Sequence, residues 1–196
     1  MREQIKIRLL ENILEEVTKK YDYVMEQTKE KNLNSFEMSI RDPLTKLYNR
    51  NSLVEFSKKY FERILRENII GVLIFIDLDN FKHVNDDYGH EKGDEVLVQV
   101  ANTFQTTFRS YDFIVRYGGD EFIIFIEDVE KSQLDIDKIL KLFVHRLETD
   151  LEEFHISASF GYATAPIDAV NLKDLIELAD RRMYLQKKER KKSRKD

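Results

Sequence analysis

The fold prediction starts from the stretch Val115-Arg116-Tyr117-Gly118-Gly119-Asp120-Glu121-Phe122-Ile123, in which a Gly-Gly pair separates two apolar runs. The first run extends from Tyr111 to Tyr117 and the second from Phe122 to Ile126. This pattern predicts a β-hairpin with a tight turn at positive φ, which glycine adopts without a Cβ clash. Neighbouring strand residues point to opposite faces, so Asp120 and Glu121 are expected to have different roles.

The composition limits the class of protein. The chain has 196 residues, which is enough for one domain and an appendage, and 42% of them are hydrophobic. It contains no Cys, so disulfides and thiolate chemistry are excluded. A net charge of -5 argues against a nucleic-acid partner, and the longest apolar run, residues 69–76, is too short for a membrane span. The N-terminus lacks the apolar segment of a signal peptide, so we expect a soluble, cytoplasmic protein.

The N-terminal segment has the pattern of a coiled coil. Residues 1–32 contain neither Gly nor Pro, and apolar residues recur at alternating spacings of three and four: Ile7, Leu10, Leu14, Val17, Tyr21 and Val24. An amphipathic helix lying on its own domain would give a similar pattern. A parallel two-stranded coiled coil, and hence a homodimer, is favoured because Lys, Glu and Gln cover the remaining surface. We place a dimerisation or signalling helix over 1–35, a globular domain over 36–190 and a basic tail over 191–196.

The globular domain alternates between helical and strand patterns. Pro43 indicates a turn, and Asn49 or Asn51-Ser52 can cap the helix that follows. The polar stretch from Asn80 to Asp94 is rich in groups that can read a base edge or bind metal, and no helix or strand is assigned to it. The predicted elements are a helix to about Glu67 that ends at Asn68, a strand over 69–76, a helix over 95–109, the hairpin, a helix over 134–151, a strand over 154–163 and a helix over 171–188. This order predicts an α+β fold with a ferredoxin-like, palm-type sheet and flanking helices.

Carboxylates at two strand ends allow a metal site. Asp77 follows the buried strand, and Asp120 and Glu121 follow the hairpin turn. Oxygen ligands from neighbouring strands suit Mg²⁺, particularly when phosphate oxygens complete its coordination. The chain has no P-loop, and the Asp77-x-Asp79 pair lacks the downstream residues of an EF-hand. The spacing allows metal-dependent nucleotidyl transfer, and the alternative is that these acids are merely solvated.

The motifs as a set resemble the GGDEF family, the diguanylate cyclases. Gly118-Gly119-Asp120-Glu121-Phe122 is similar to the signature that gives the family its name. Further matching motifs are Asp42-Pro43-Leu44-Thr45-Lys46-Leu47-Tyr48-Asn49-Arg50, the stretch from Asp77 to Asp86, Gly89-His90-Glu91-Lys92-Gly93-Asp94, Ser159-Phe160-Gly161 and Ala179-Asp180-Arg181-Arg182-Met183-Tyr184. Together they cover roughly residues 40 to 190 in order. The resemblance implies an enzyme whose cofactors are two Mg²⁺ or Mn²⁺ ions per active site.

The resemblance also assigns the metal and catalytic residues. It implies that Asp77, the Leu78 carbonyl and Asp120 bind the two ions. Glu121 is implied either at the metal site or in activating the 3′-hydroxyl of the substrate.

The substrate implied by the resemblance is GTP. Asn85 and Asp94 would hydrogen-bond guanine, and an adenine would leave these groups unpaired. Family members that make mixed dinucleotides tend to carry Ser where this chain has Asp94, so Asp94 favours GTP alone.

The resemblance implies phosphate contacts for a second group of residues: Phe81, Lys82 and Lys187. Gly118 and Gly119 would let the backbone approach the phosphates closely. The usual Gly-Arg-Asn ending of the last helix is replaced here by Lys187-Lys188-Glu189-Arg190-Lys191. Lys191 would stand in for the arginine as a single point charge rather than a bidentate fork.

An inhibitory product site is implied by Arg109-Ser110-Tyr111-Asp112, which resembles the family's RxxD motif. Without the resemblance, Arg109 would be interpreted as a helix-end residue that pairs with Asp112. Arg146 is the candidate second arginine, although the chain from Ile126 to Arg146 is longer than usual for the family.

The predicted function is therefore condensation of two GTP into cyclic di-GMP and two pyrophosphates across a homodimer, with product inhibition. Two alternatives remain at this point. One is a non-catalytic cyclic di-GMP receptor, and the other is a coiled-coil interaction module with a vestigial nucleotide site.

Overall fold

The computed structural model describes residues 1–126 and 135–193, except the side chains at 4–5, 7–13, 30, 32–34, 191 and 193. Its helices are α1 (Arg2–Ile40), α2 (Arg50–Glu67), α3 (Phe81–Tyr88), α4 (His90–Thr107), α5 (Ile136–Asp150) and α6 (Leu172–Ser193). Its strands are β1 (Tyr48–Asn49), β2 (Gly71–Asp79), β3 (Phe113–Arg116), β4 (Glu121–Ile126) and β5 (Ser157–Ala165), with a short 3₁₀ turn at Glu152–Phe154.

The strands form one mixed sheet in the order β1-β3-β4-β2-β5. β1 pairs with β3 in parallel, and the other neighbours pair antiparallel. β2 lies between β4 and β5 and is buried on both faces, as its continuous apolar sequence predicts. The predicted α+β fold with flanking helices is confirmed.

Each face of the sheet has its own hydrophobic core. On one face, Ile74 and Ile76 of β2 pack with side chains of α4 and α5, among them Phe104 and Phe143. On the other face, Leu73 and Phe75 belong to a cluster supplied by α2 and α6. Because side chains alternate along a strand, Asp77 and Asp79 continue the face that α2 and α6 cover.

Helix α6 lies directly on β5 at Gly161. A Cβ atom built there would lie 2.2 Å from the Met183 nitrogen and 2.3 Å from the Ala179 oxygen. Both are backbone atoms of the helix, so no side-chain rotation could make room. The absence of a side chain at Gly161 therefore sets the distance between helix and strand.

Side chains from α6 also bond to the outer edge of β5, which is the last strand of the sheet. Arg182 donates to the Tyr162 carbonyl at 2.7 Å, and Arg190 donates to the Ala158 carbonyl at 2.5 Å. Between them, the Phe160 backbone N–H donates to the Gln186 side chain at 2.7 Å. The three helix residues are four positions apart and their partners on β5 are two positions apart. One turn of the helix therefore matches two residues of the strand along the whole contact. The contacts protect an edge that could otherwise pair with another chain.

The N-terminal helix forms a compact unit of its own, Met1–Ser39, and the second unit is 40–196. Of the seam residues whose side chains are described, Leu14, Val17, Tyr21 and Val24 are all more than half exposed. Ile7 and Leu10 fall outside the described side chains. No helix within the described ranges is long and apolar enough to cross a membrane.

Several predicted boundaries were wrong for local reasons. α1 continues to Ile40, past the end of the helix predicted over 1–35. β2 extends through the acids to Asp79, so Asp77 lies within the strand rather than beyond it. α6 extends past residue 188, and β5 starts at Ser157 because a 3₁₀ turn occupies 152–154. The start predicted for α5, Leu134, lies outside the described residues.

No helix or strand was predicted for residues 80–94. They form α3 and the first turn of α4, separated by Gly89 at φ 85°. Phe81 and Val84 are the buried positions of α3, so its apolar face is too short to show helical periodicity.

Replacing Gly161 with Ala tests the contact between α6 and β5. The added methyl group would press on backbone atoms of the helix, so we expect a loss of about 2 kcal/mol or more in the free energy of unfolding. Gly119→Ala is the matched control, because its Cβ would have no neighbour within 4 Å; we expect a change within about 0.5 kcal/mol. Urea unfolding measures both. Equal stability of the two variants would contradict the described packing.

Candidate nucleotide and metal site

Pairing between β2 and β4 brings the predicted carboxylates together. Asp77 lies directly opposite Glu121 in the antiparallel register. The Leu78 backbone N–H donates to the Asp120 carbonyl at 3.1 Å, which fixes the hairpin tip beside the end of β2. The structure therefore assembles Asp77, Leu78, Asp120 and Glu121 from two segments more than 40 residues apart.

A cavity of about 550 Å³ opens at this end of the sheet. Its lining is Leu78, Asp79, Asn80, Phe81, Lys82, His83, Asp120, Lys187, Arg190 and Lys192. Predicted phosphate-contacting residues from α3 and α6 thus share one cavity with two predicted metal ligands, Leu78 and Asp120. Four basic residues against two acidic ones give the lining a positive balance that suits an anionic ligand.

Helix α6 supplies cations to the acids of β2. The Lys187 ammonium group hydrogen-bonds the Asp77 carboxylate and lies 3.7 Å from Asp79. The Arg190 guanidinium lies 3.5 Å from the other oxygen of Asp79, which also accepts a 2.8 Å hydrogen bond from the Ser159 hydroxyl. Asp79 is 7% exposed, so it is a buried carboxylate with three polar partners.

The acids of this site repel one another. Burial raises the pKa of Asp77, an effect that hydrogen bonding and charge from Lys187 oppose and that Asp120 and Asp79 reinforce. Burial also raises the pKa of Glu121, with Asp77, Asp120 and Asp180 acting in the same direction. A divalent cation would relieve this repulsion.

The donor set fits Mg²⁺ or Mn²⁺. Among the described residues, no three His, Asp or Glu side chains are arranged as a complete metal-binding group. Mg²⁺ is commonly held by one or two carboxylates together with phosphate oxygens and water, so Asp77, Asp120 and the Leu78 carbonyl are an appropriate partial set. The mutual repulsion of the acids supports the same assignment.

The predicted guanine-binding residues lie on α3 and α4, next to the cavity. A Cβ at Gly93 would lie 2.0 Å from the Asn85 side-chain oxygen and 3.4 Å from the Phe81 ring. Gly93 therefore makes room for Asn85 beside Phe81, which lines the cavity. Asp94 is exposed and follows Gly93 on the same helix. Neither Asn85 nor Asp94 lines the cavity itself.

The prediction that the Gly118-Gly119 turn has positive φ was wrong. Among the six glycines, all of which are described, Gly89 has positive φ, whereas Gly118 and Gly119 do not. Instead, a Cβ at Gly118 would lie 2.6 Å from a Glu121 carboxylate oxygen. The turn is held by backbone N–H groups of Tyr117 and Gly118, which both donate to the Glu121 carbonyl. Gly118 thus provides space for the Glu121 side chain.

Arg116 links the hairpin tip to the turn that opens the domain. Its guanidinium donates to the Gly119 carbonyl at 3.0 and 3.2 Å and to Asp42 at 3.0 Å. The same Asp42 oxygen accepts from the backbone and hydroxyl of Thr45. Burial raises the pKa of Asp42, but hydrogen bonds from Thr45 and Arg116 outweigh it and lower the value overall. Arg116 was not among the predicted site residues, although its position two residues before the Gly-Gly pair was a usable signal.

The predicted inhibitory residues converge on the end of α4. Asp112 accepts a 2.8 Å hydrogen bond from the Arg109 backbone N–H, while the Arg109 guanidinium donates to the Tyr111 hydroxyl at 2.7 Å. Arg146 reaches from α5 to the Thr106 carbonyl at 2.9 Å. The side chain of Lys191, the expected replacement for the family's arginine, is outside the described residues.

The comparisons with known proteins identify the family of the chain. A family model described as "Diguanylate cyclase, GGDEF domain" matches residues 39–193. The chain therefore belongs to the GGDEF family, and the resemblance inferred from the motifs is confirmed.

Particular relatives extend the similarity. The chain is 36% identical over 155 residues to the bifunctional diguanylate cyclase/cyclic di-GMP phosphodiesterase MucR of Pseudomonas aeruginosa, covering 78% of this chain and 23% of MucR. Across the curated relatives compared, it spans between 19% and 51% of their length.

Two solved structures are similar throughout the fold. The first is diguanylate cyclase SiaD of Pseudomonas aeruginosa, solved with its activator SiaC, which is 30% identical to this chain with a TM-score of 0.68. The match covers 90% of this chain and 68% of the SiaD chain. The second is the GGDEF domain of DgcB from Caulobacter crescentus, solved with cyclic di-GMP, which is 25% identical with a TM-score of 0.68. This match covers 76% of this chain and 91% of the DgcB chain.

Replacing Arg116 with Met tests the link between Asp42 and the hairpin tip. Both partners are about one-sixth exposed, so we expect a loss of about 2 kcal/mol in the free energy of unfolding. Folding lowers the pKa of Asp42, so the stabilisation by its ionised carboxylate is fully present above the pKa that Asp42 has in the unfolded chain. The stabilisation is lost as the pH falls through the lower pKa that Asp42 has in the folded protein. The difference from wild type should therefore shrink as the pH is lowered below the ordinary pKa of an aspartate.

The matched control is Arg66→Met, whose ion pair with Glu67 involves an arginine side chain that is 70% exposed. We expect it to change stability by no more than about 0.5 kcal/mol. A double-mutant cycle of Arg116→Met with Asp42→Asn should give a coupling energy above about 1 kcal/mol. Additive effects would show that the pair does not couple the two segments.

Proposed function

We propose that the protein is a diguanylate cyclase, which condenses two GTP into cyclic di-GMP and two pyrophosphates. The observation that carries the proposal is the shared cavity, where acids of β2 and the hairpin tip face Lys and Arg side chains of α3 and α6. Metal-dependent nucleotidyl transfer needs acidic side chains that hold divalent cations and, beside them, basic side chains that hold phosphates. Family membership supports the same reaction.

Within this site, Asp77, Asp120 and the Leu78 carbonyl hold two Mg²⁺ or Mn²⁺ ions. When bound, the ions supply charge stabilisation at the reacting phosphate and favour ionisation of the attacking 3′-hydroxyl. Glu121 lies opposite Asp77 and has a raised pKa, so it suits a proton acceptor for that hydroxyl or a further metal ligand. Lys187 neutralises the terminal phosphates, which leave as pyrophosphate.

Guanine recognition is proposed for Asn85 and Asp94. An amide and a carboxylate can meet the donors and acceptors of the guanine edge, whereas adenine would leave these groups unsatisfied. Gly93 and Phe81 hold Asn85 beside the phosphate cavity, which supports a single nucleotide position across α3 and α4.

The reaction needs two nucleotides, and we propose that a homodimer supplies them. Each protomer binds one GTP, and the 3′-hydroxyl of each attacks the α-phosphate of the other across a two-fold axis. The exposed apolar seam of α1 supports dimerisation through a parallel coiled coil.

The central test is an assay of the purified chain with GTP and Mg²⁺, with the products separated by chromatography. We expect cyclic di-GMP and pyrophosphate, at a rate per protomer that rises with protein concentration as dimers form. Asp120→Asn removes a metal ligand and should lower the rate by at least ~10²-fold, and chelation with EDTA should abolish it.

Glu55→Gln, a carboxylate-to-amide change on the exposed face of α2, is the control and should keep the wild-type rate. The proposal is wrong if the folded wild-type chain makes no cyclic di-GMP at any concentration. Binding of cyclic di-GMP without turnover of GTP would favour the alternative of a receptor.

Product inhibition is proposed at Arg109, Asp112 and Arg146. Arg146 reaches the last turn of α4 and Arg109 follows that turn in the chain, and guanidinium groups can bind phosphate or a guanine edge. The DgcB domain, solved with cyclic di-GMP, supports product binding within the family.

Arg109→Ala should weaken binding of cyclic di-GMP by about tenfold or more in calorimetric titration, because it removes a charged bidentate donor. The initial rate at low product should stay near that of the wild type. Arg63→Ala, on α2, provides the arginine control. Unchanged cyclic di-GMP affinity in Arg109→Ala would remove this site from the account.

A further inference from the structure

The last turns of α6 contain a basic residue, Arg190, that the assignments above leave without a role in binding. It is spaced three residues from Lys187, so the two side chains lie on the same face of the helix. Both line the cavity beside the acids of β2. The expected phosphate-contacting residue at the end of this helix was Lys191, one position later.

The Arg190 guanidinium is fixed at one end by contacts of its Nη1 atom. Nη1 donates to the Ala158 carbonyl at 2.5 Å and to the Ser157 hydroxyl at 3.3 Å, and lies 3.5 Å from the Asp79 carboxylate. These contacts come from the edge strand β5 and from β2, so they hold the group against the rigid sheet. A charged group fixed in this way binds with less loss of side-chain entropy than an unrestrained one.

The other nitrogens remain available to a ligand. Nη2 lies 4.0 Å from the Glu148 carboxylate, and within residues 1–126 and 135–193 neither Nη2 nor Nε makes a hydrogen bond. The side chain is 34% exposed where it borders the cavity. Arginine presents its donors as a planar fork that matches two phosphate oxygens at once.

Lys187 and Arg190 pair with three carboxylates, those of Asp77, Asp79 and Glu148, and a metal ion at Asp77 would free Lys187 for a phosphate. Lys187 and Arg190 share Asp79, at 3.7 and 3.5 Å, and Asp77 is the proposed metal ligand. Lys192 and Lys82 add positive charge to the lining. The end of the cavity nearest α6 therefore suits a polyanion with several adjacent charges.

We propose that Arg190 is a phosphate-binding residue that acts with Lys187 on the terminal phosphates of a nucleoside triphosphate. It supplies the bidentate fork that Lys191 cannot. The identity of the nucleotide rests on the proposed function, whereas recognition of a polyphosphate rests on the geometry of Arg190 itself. The competing explanation is that Arg190 only fastens α6 to the edge of β5.

The test measures binding of two probes to the full chain by calorimetry in the presence of Mg²⁺: 3′-deoxyguanosine triphosphate, which lacks the attacking hydroxyl, and GMP, which lacks the terminal phosphates. Arg190→Ala should weaken binding of the triphosphate by about tenfold or more and change GMP affinity by less than about twofold. Arg190→Lys should recover part of the loss, because it restores the charge without the fork.

Lys188→Ala is the matched control, since its ammonium group lies over the Tyr184 ring, 4.5 Å from the centroid, and not in the cavity lining. It should bind both probes as the wild type does. If Arg190→Ala does not fold, Arg190→Gln replaces it, because the amide can still donate to the Ala158 carbonyl. Equal weakening of both probes, or no change in either, would overturn the proposal.

These results separate the inference from the proposed function. Arg190-dependent triphosphate binding by a wild type that makes no cyclic di-GMP would support the inference and contradict the cyclase. Synthesis of cyclic di-GMP by the wild type, with unchanged triphosphate affinity in Arg190→Ala, would contradict the inference alone.

Discussion

The backbone contact between α6 and β5 at Gly161 is the constraint on which the candidate site depends. It fixes the helix at van der Waals distance from the sheet and sets its position along the strand. From that point, one stripe of the helix passes over the sheet as Ala179, Met183, Lys187 and Arg190. The stripe is apolar over the core and cationic over Asp77 and Asp79, so a single packing contact also places the charges.

The hairpin tip is held by a second set of contacts. Arg116 ties the Gly119 carbonyl to Asp42, and the Asp120 carbonyl accepts from Leu78. The hairpin tip, which carries the proposed metal ligand Asp120, is therefore joined to β2 and to the turn at the start of the domain by short polar contacts. The proposed nucleotide site needs a cation from α6 and a carboxylate from the hairpin, and β2 brings the two together through the contact of Asp77 with Lys187 and through its pairing with β4.

Much of this arrangement could be predicted from the sequence. Long segments with clear periodicity gave the correct helices and strands, and the acids at 77 and 120 were expected at adjoining strand ends. The helix α3 was missed because it has only two buried residues, and the φ of the Gly-Gly turn was wrong because the glycine at 118 accommodates a side chain instead. Arg190 gave no sequence signal, since its partners at 79 and 158 become neighbours only through the register of α6 on the sheet.

The central claim is that α6 and the hairpin tip form one nucleotide site. A crystal structure of the chain with 3′-deoxyguanosine triphosphate and Mg²⁺ tests it most directly. The account predicts metal between Asp77 and Asp120, terminal phosphates against Lys187 and Arg190, and the base at Asn85. A triphosphate bound elsewhere on the chain, or metal bound without either carboxylate, would contradict it.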